Sequence, residues 1–184
     1  MSGVSSANLV ALNGDFARVL ARWVRSRMDA TLFAGASFPW PVSADAFLAM
    51  TQEPGRDVRV LLDTEDQPVA TGSILITSQE CARIGRVLVD PARRGEGFGR
   101  SIMQALIEEV SARPHVRLIR LGVYQRNAAA RALYESLGFK ATQKPGRTAV
   151  VDGEKWPSVE MQRAVRADQG TRSSADPRPS LGRP

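Results

Sequence analysis

At 184 residues with 43% apolar side chains, the chain is long enough for one domain with a substantial core and apolar enough to offset its conformational entropy. A single cysteine, Cys81, excludes an internal disulfide, and no stretch is long and apolar enough to span a bilayer; a cytoplasmic location without a membrane partner is expected. The net charge of +6 invites a nucleic-acid reading, but between Gln162 and Pro184 five arginines face two aspartates, so half of the excess sits in a Ser-, Pro- and Gly-rich end.

That end, residues 164–184, reads as a disordered tail, and 1–163 as a single domain. No nucleic-acid recognition motif accompanies the charge, so nucleic acid is not an expected partner. The N-terminus shows no basic stretch followed by an apolar run, so no secretory signal is expected. No cluster of His, Cys and Asp has metal-ligand spacing, and no metal is expected.

In chain order, Asn8–Leu12 reads as a strand, Asn13-Gly14 as a turn, and Asp15 as the cap of a helix running to about Met28. Phe16, Val19, Leu20, Trp23 and Val24 form its apolar face. Phe33 to Pro41 carries Phe33, Phe38, Trp40 and two prolines, which argues against a regular helix; its aromatics must pack or bind something. Ser43 caps a short helix over Ala44–Thr51. Val58–Leu62 and Val69–Thr77 read as an antiparallel hairpin, and Cys81–Val89 as the next strand. Cys81 itself reads as buried packing. A helix follows from Gly97 to about Ala112, then a strand over Val116–Tyr124 and a short helix over Ala128–Leu137 capped by Asn127. Phe139 to about Lys144 and Trp156–Met161 read as strands, with Gly146–Val151 unassigned and Asp152-Gly153 a turn. The class is α/β with a mixed sheet: an antiparallel meander of four strands, then a βαβ crossover through the Gly97 helix.

The stretch Val87-Leu88-Val89-Asp90-Pro91-Ala92-Arg93-Arg94-Gly95-Glu96-Gly97-Phe98-Gly99-Arg100 organises the chain. An apolar strand stops at Asp90-Pro91, a basic glycine loop follows, and Phe98, Ile102, Leu106 and Val110 recur at helical spacing. Strand, glycine loop and helix present bare N–H groups and a positive helix end to a phosphate. The dinucleotide fingerprint needs Gly-x-Gly-x-x-Gly and the P-loop needs Gly-Lys-Ser/Thr; neither spacing is present. What fits is Arg/Gln-x-x-Gly-x-Gly/Ala, at Arg94 to Gly99. With a second stretch, Asn127-Ala128-Ala129-Ala130-Arg131-Ala132-Leu133-Tyr134-Glu135-Ser136-Leu137-Gly138-Phe139, this resembles the two signatures of the GNAT family of N-acetyltransferases. The resemblance covers roughly Val58 to Met161.

The resemblance implies an acyl-CoA N-acyltransferase fold: a mixed, mostly antiparallel central sheet, flanked by helices, in which the strand before the glycine loop splays from the next one. Acetyl-CoA would wedge into the splay. Val87 and Val89 would pair with its pantetheine arm, and the N–H of Leu88 or Val89 would meet the oxyanion. Arg94, Gly95, Glu96, Gly97, Phe98, Gly99 and Arg100 would hold the pyrophosphate, with charge from Arg93 as well. Asn127 and Arg131 are carried over as cofactor contacts, although Asn127 serves equally as a helix cap. Tyr134 takes the family's general-acid position, protonating the thiolate that an attacking amine expels; core packing is its other reading. Some members carry a Glu on the strand before the second motif, where this chain has Gly122. Glu80 or a water chain is then the candidate base. Phe33, Phe38 and Trp40 would wall the pocket of a small-molecule or peptide amine. A homodimer is compatible with this reading. The competing reading is a non-catalytic acyl-CoA-binding module acting through a partner.

Overall fold

The computed structural model describes residues 8–165; the expected tail lies outside them, apart from its first two residues. The element order is β1 (Asn8–Ala11), α1 (Gly14–Trp23), α2 (Arg27–Ala34), α3 (Ala44–Met50), β2 (Arg56–Leu62), β3 (Pro68–Ser78), β4 (Cys81–Val89), α4 (Phe98–Ser111), β5 (Leu118–Tyr124), α5 (Ala128–Ser136), β6 (Lys140–Val151) and β7 (Glu154–Ala164). The strands form one sheet in the order β1-β2-β3-β4-β5-β7-β6. Every pairing is antiparallel except β4 with β5, so the mixed, mostly antiparallel class is as expected.

Alternation along the strands divides the apolar side chains between two faces. On one, α4 lays Ile102, Met103, Leu106 and Val110 against Ile74, Ile84, Ile119 and Leu121, all nearly inaccessible to water. Gly72 permits this close approach, because a Cβ there would stand 2.7 Å from Leu106 Cδ1. The other face packs α1, α2 and α3 on Val58, Val60 and Leu88, through Leu20, Trp23, Phe33, Phe47 and Met50. Arg59 of β2 donates to both carboxylate oxygens of Glu109 on α4, at 2.9 and 2.7 Å, and ties that helix to the sheet.

Several local expectations need correction. The first helix stops at Trp23, because Val24 takes extended dihedrals and Ser26 starts a second helix, its hydroxyl accepting from the Asp29 N–H at 3.0 Å. Phe33 therefore lies in the last turn of a regular helix, not in an irregular loop. The unassigned stretch Gly146–Val151 belongs to β6, paired through the Asp152-Gly153 turn with β7; both turn residues have positive φ, as a two-residue hairpin turn of the favoured hand requires. At the other end, β7 runs to Ala164 and Val165 is buried in the α4-side core, so the folded part extends past residue 163. Cys81 is half-buried rather than core.

Candidate active site

The parallel pair β4–β5 is short. Cys81, Ala82 and Arg83 pair with Leu118, Ile119 and Arg120, and there the ladder ends. From Gly85 to Val89 the β4 backbone has no β5 partner, while its other edge stays paired to β3 as far as Ala70↔Val89. The two strands splay, leaving main-chain donors and acceptors open to an extended ligand.

A bulge sits in the open stretch. Thr71 pairs with Leu88 and Ser73 with Gly85, so Arg86 and Val87 stand opposite the single residue Gly72. Arg86 adopts φ +53°, a conformation that costs a non-glycine residue about 1–3 kcal/mol and must be held by its surroundings. The holders are visible. Buried Ser73 donates to the Gly85 carbonyl at 3.1 Å, Arg56 donates to the Ser73 hydroxyl at 2.8 Å, and Glu53 accepts from both Arg56 (2.8 Å) and Arg86 (2.5 Å). Burial alone would raise the Glu53 carboxyl, but the hydrogen bonds from Arg86 and Arg56 outweigh it and hold the group below the usual range. The bulge puts Val87 in the α4-side core and Arg86 on the other face.

The glycine loop lies at the open end of the splay. Pro91–Arg93 make one 3-10 turn, with the Asp90 side chain accepting from the Ala92 N–H. Gly95 and Gly97 then take φ +89° and +92°, and a Cβ on either would meet nothing within 4 Å. Their glycine character thus serves backbone conformation and an open approach, not protein packing. Gly97 is the N-cap of α4, and no side chain caps that helix, so the N–H groups of Phe98 and Gly99 have no partner among the described residues. Arg93, expected as a phosphate charge, is already engaged: it binds Glu96 (2.8 Å) and Asp63 (3.2 Å) and stacks on Phe98 at 4.9 Å. Arg100 donates to Ser136 at 3.0 Å, joining α4 to α5. Arg94 is exposed and makes no ion pair among the described residues.

The second motif has a structural cause. Asn127 caps α5, its side chain accepting from the Ala130 N–H at 3.2 Å. At the other end, the Gly138 N–H reaches Glu135 O and the Phe139 N–H reaches Tyr134 O, both at 3.0 Å, with Gly138 at φ +85°. This is a Schellman cap, and its usual apolar contact is the Tyr134–Phe139 ring pair, with centroids 6.2 Å apart. The spacing from Tyr134 to Gly138-Phe139 therefore follows from helix termination. Tyr134 packs in the same apolar cluster as Val87, Val89 and Phe98, and its hydroxyl makes no hydrogen bond among the described residues. Burial pushes its phenol up to about 12.

On the α1–α3 face a cavity of about 250 Å³ is lined by Ala34, Phe38, Pro39 and Met50 together with Glu53 and Arg86. Phe38 is thus a wall, and the cavity touches the β4 bulge through Arg86. Phe33 is 6% exposed and stacked on Phe47 at 5.2 Å; it is core, and neither it nor Trp40 lines the cavity. Glu80 is exposed in the β3–β4 turn, at the closed end of the β4–β5 pair. At about 3.3 Å per residue it stands roughly 20 Å from the bulge, too far for a base acting there.

The splay, the bulge and the glycine loop form one continuous feature, and comparison with known proteins attaches it to a family. The family model "Acetyltransferase (GNAT) family" matches residues 24–139. The chain belongs to the GNAT acetyltransferase family. It is 37% identical over 103 residues to the ribosomal protein bS18-alanine N-acetyltransferase of Salmonella typhimurium, covering 56% of this chain and 66% of the relative. It is 36% identical over 93 residues to the Escherichia coli K12 protein of the same name, covering 50% and 62%. The match thus spans somewhat under two thirds of these relatives' length. Among solved structures, a Vibrio cholerae spermidine N-acetyltransferase in complex with CoA and spermine superposes with a TM-score of 0.72 at 17% identity, covering 87% of this chain and 96% of that one. The Escherichia coli ribosomal-protein-S18-alanine N-acetyltransferase gives 0.66 at 23% identity, covering 89% and 97%. These structural likenesses establish the GNAT fold. The Glu53–Arg56–Arg86 network around the bulge has no signature in the sequence: nothing in the spacing of Glu53, Arg56, Ser73 and Arg86 joins them before β2, β3 and β4 are aligned.

Proposed function

We propose that the protein is an acetyl-CoA-dependent N-acetyltransferase of the cytoplasm, acting on a primary amine of a small molecule or peptide by direct attack in a ternary complex. The observation that carries this is the separation of β4 from β5 after Arg83, with the glycine loop at its open end. The residues fit the group: Gly95 and Gly97 leave space that a Cβ would fill, and α4 offers uncapped N–H groups to a pyrophosphate. The backbone of Val87 and Val89 would hold the pantetheine arm, Leu88 or Val89 would supply an N–H to the developing oxyanion, and Arg94 and Arg100 would add charge. When bound, acetyl-CoA supplies a thioester whose carbonyl carbon accepts an amine and whose sulfur leaves. Tyr134 would give its hydroxyl proton to that sulfur; a phenol is protonated at neutral pH, and burial in the free protein holds that proton more tightly still. Asn127 spends its side-chain oxygen on the α5 cap, which leaves its amide N–H₂ for the cofactor; Arg131 lies one turn further along.

The cavity beside Phe38 would receive the acceptor's apolar part, and the relatives suggest acceptors to try: an alanine-initiated peptide and spermidine. Acetyl-CoA with each of these amines, read by thiol release and product mass, tests the reading. Turnover on either supports it. Tight acetyl-CoA binding with no transfer to any amine would favour the non-catalytic module instead.

A further inference from the structure

We propose that Glu160 is the carboxylate that takes the proton from the acceptor amine, standing on β7 in place of a side chain that β5 lacks; this rests on the acetyl-transfer reading above. The β4–β5 ladder ends at Arg83↔Arg120. Two residues further along each strand, at the start of the splay and on the same face, stand Gly85 and Gly122. A Cβ on Gly85 would meet nothing within 4 Å. At Gly122 the corresponding space is filled from the neighbouring strand. Gly122 is in register with Glu160, and a Cβ there would lie 3.0 Å from Glu160 Oε1 and 2.7 Å from Arg83 Nη2. The carboxylate thus leans over β5 at the point where the strands part.

The face is the one an acceptor would use. Leu121 and Val123, the neighbours of Gly122, turn into the α4-side core, so Gly122 and Glu160 look the other way, toward the side of the sheet that carries α1–α3 and the Phe38 cavity. Arg83 holds the carboxylate from one side, its Nη1 and Nη2 donating to Oε2 and Oε1 at 2.8 and 2.7 Å. Each oxygen keeps a lone pair, and the Glu160 side chain remains 23% exposed. An arriving ammonium therefore meets an oriented anion.

The protons balance. The ammonium gives one proton to Glu160 and gains a free lone pair. As the C–N bond forms and the C–S bond breaks, the nitrogen loses a second proton, which replaces the one Tyr134 gives to the departing sulfur. Glu160 then releases its proton to water, and no other reactant is required.

The test uses the full chain, acetyl-CoA, and an alanine-initiated peptide and spermidine as acceptors. Glu160→Gln should lower kcat about 100-fold while acetyl-CoA affinity by calorimetry and the melting temperature stay unchanged. Adding Gly122→Glu to that variant should recover at least tenfold, because the new side chain starts at the spot Glu160 covered and displaces only the ends of two flexible side chains. Three results would overturn the proposal: Glu160→Gln within threefold of wild type, a loss of kcat that follows weakened acetyl-CoA binding or a lowered melting temperature, or no recovery in the double variant. A wild type that binds acetyl-CoA yet acetylates neither amine overturns the acetyl-transfer reading and this one with it; an active wild type with an unaffected Glu160→Gln overturns this one alone.

Discussion

The two faces of the sheet solve different problems. The α4–α5 face is built around backbone: Gly95, Gly97 and Gly138 at positive φ, an uncapped helix start, and unpaired β4 groups from Gly85 onward. The α1–α3 face is built around volume: Leu20, Trp23, Phe33, Phe47 and Met50 fill a second core, and the cavity beside Phe38 is what they leave. Binding a pyrophosphate requires N–H groups at fixed directions, which few residue types permit. Walling an acceptor requires apolar bulk, which many residues supply in many arrangements. The first face therefore writes itself into the sequence at fixed spacing and the second does not.

The largest effect should separate the faces by stability. Phe47 is fully buried, stacks on Phe33 and meets Phe38 edge-on at 6.1 Å. Phe47→Ala should cost about 3–5 kcal/mol in denaturant unfolding, and it should loosen Phe38. A cost below about 1 kcal/mol would mean that the α1–α3 cluster carries little of the fold.

Next comes a change confined to chemistry. Tyr134→Phe keeps the ring that completes the Schellman cap with Phe139 and removes only the hydroxyl, which has no hydrogen-bond partner among the described residues. Turnover should fall about 100-fold with the melting curve unmoved. Loss of stability equal to the loss of rate would return Tyr134 to a packing role.

A smaller effect is expected at Gly97. At φ +92° any Cβ is strained, by about 1–3 kcal/mol, even though nothing stands within 4 Å. Gly97→Ala should therefore lower stability modestly and, by intruding on the ligand's approach, weaken acetyl-CoA binding about tenfold by calorimetry. Unchanged affinity would displace the pyrophosphate from this loop.

How much of this was legible follows the same division. Asp90-Pro91, the three-glycine spacing and Asn127 to Phe139 are local signals, and the strand–loop–helix and the capped α5 follow from them. The break between α1 and α2 leaves little trace in the pattern, because Val24 looks like one more residue of the apolar face and only the Ser26 cap marks the restart. The sequence suggests Arg93 as a phosphate charge, but Glu96 three residues on and Asp63 thirty residues back both pair with it, and the second partner shows only once the turns are folded together. Phe33 and Phe38 are five residues apart and chemically alike, yet one is core and the other is cavity wall. What distinguishes them is the last turn of α2, a boundary too fine for spacing to mark. The role proposed for Glu160 has no local signal for a related reason: it depends on standing opposite Gly122, a register fixed only when β7 pairs with β5.

The smallest signal compares the faces by their tyrosines, of which the chain has two. Tyr124 ends β5 and meets Trp156 edge-on at 5.8 Å, and burial raises its phenol. Tyr134, in the α4-side cluster, is raised further by burial, to about 12. In the unfolded chain both would ionise near 10. A native pKa above the unfolded one means that the fold favours the protonated phenol, so this contribution is complete below about pH 10 and is lost as pH rises from there to about 12. Absorbance at 295 nm should show both tyrosines ionising at higher pH in the native protein than in denaturant, with Tyr134 ionising only near pH 12. Tyr134→Phe should remove the later of the two native transitions. An acid that keeps its proton this far into the alkaline range cannot set an alkaline limb of the activity profile near pH 9. If such a limb appears there and persists in the residual activity of Tyr134→Phe, its origin lies elsewhere; if the substitution abolishes it, the burial that protects Tyr134 in the free protein is undone when ligand binds.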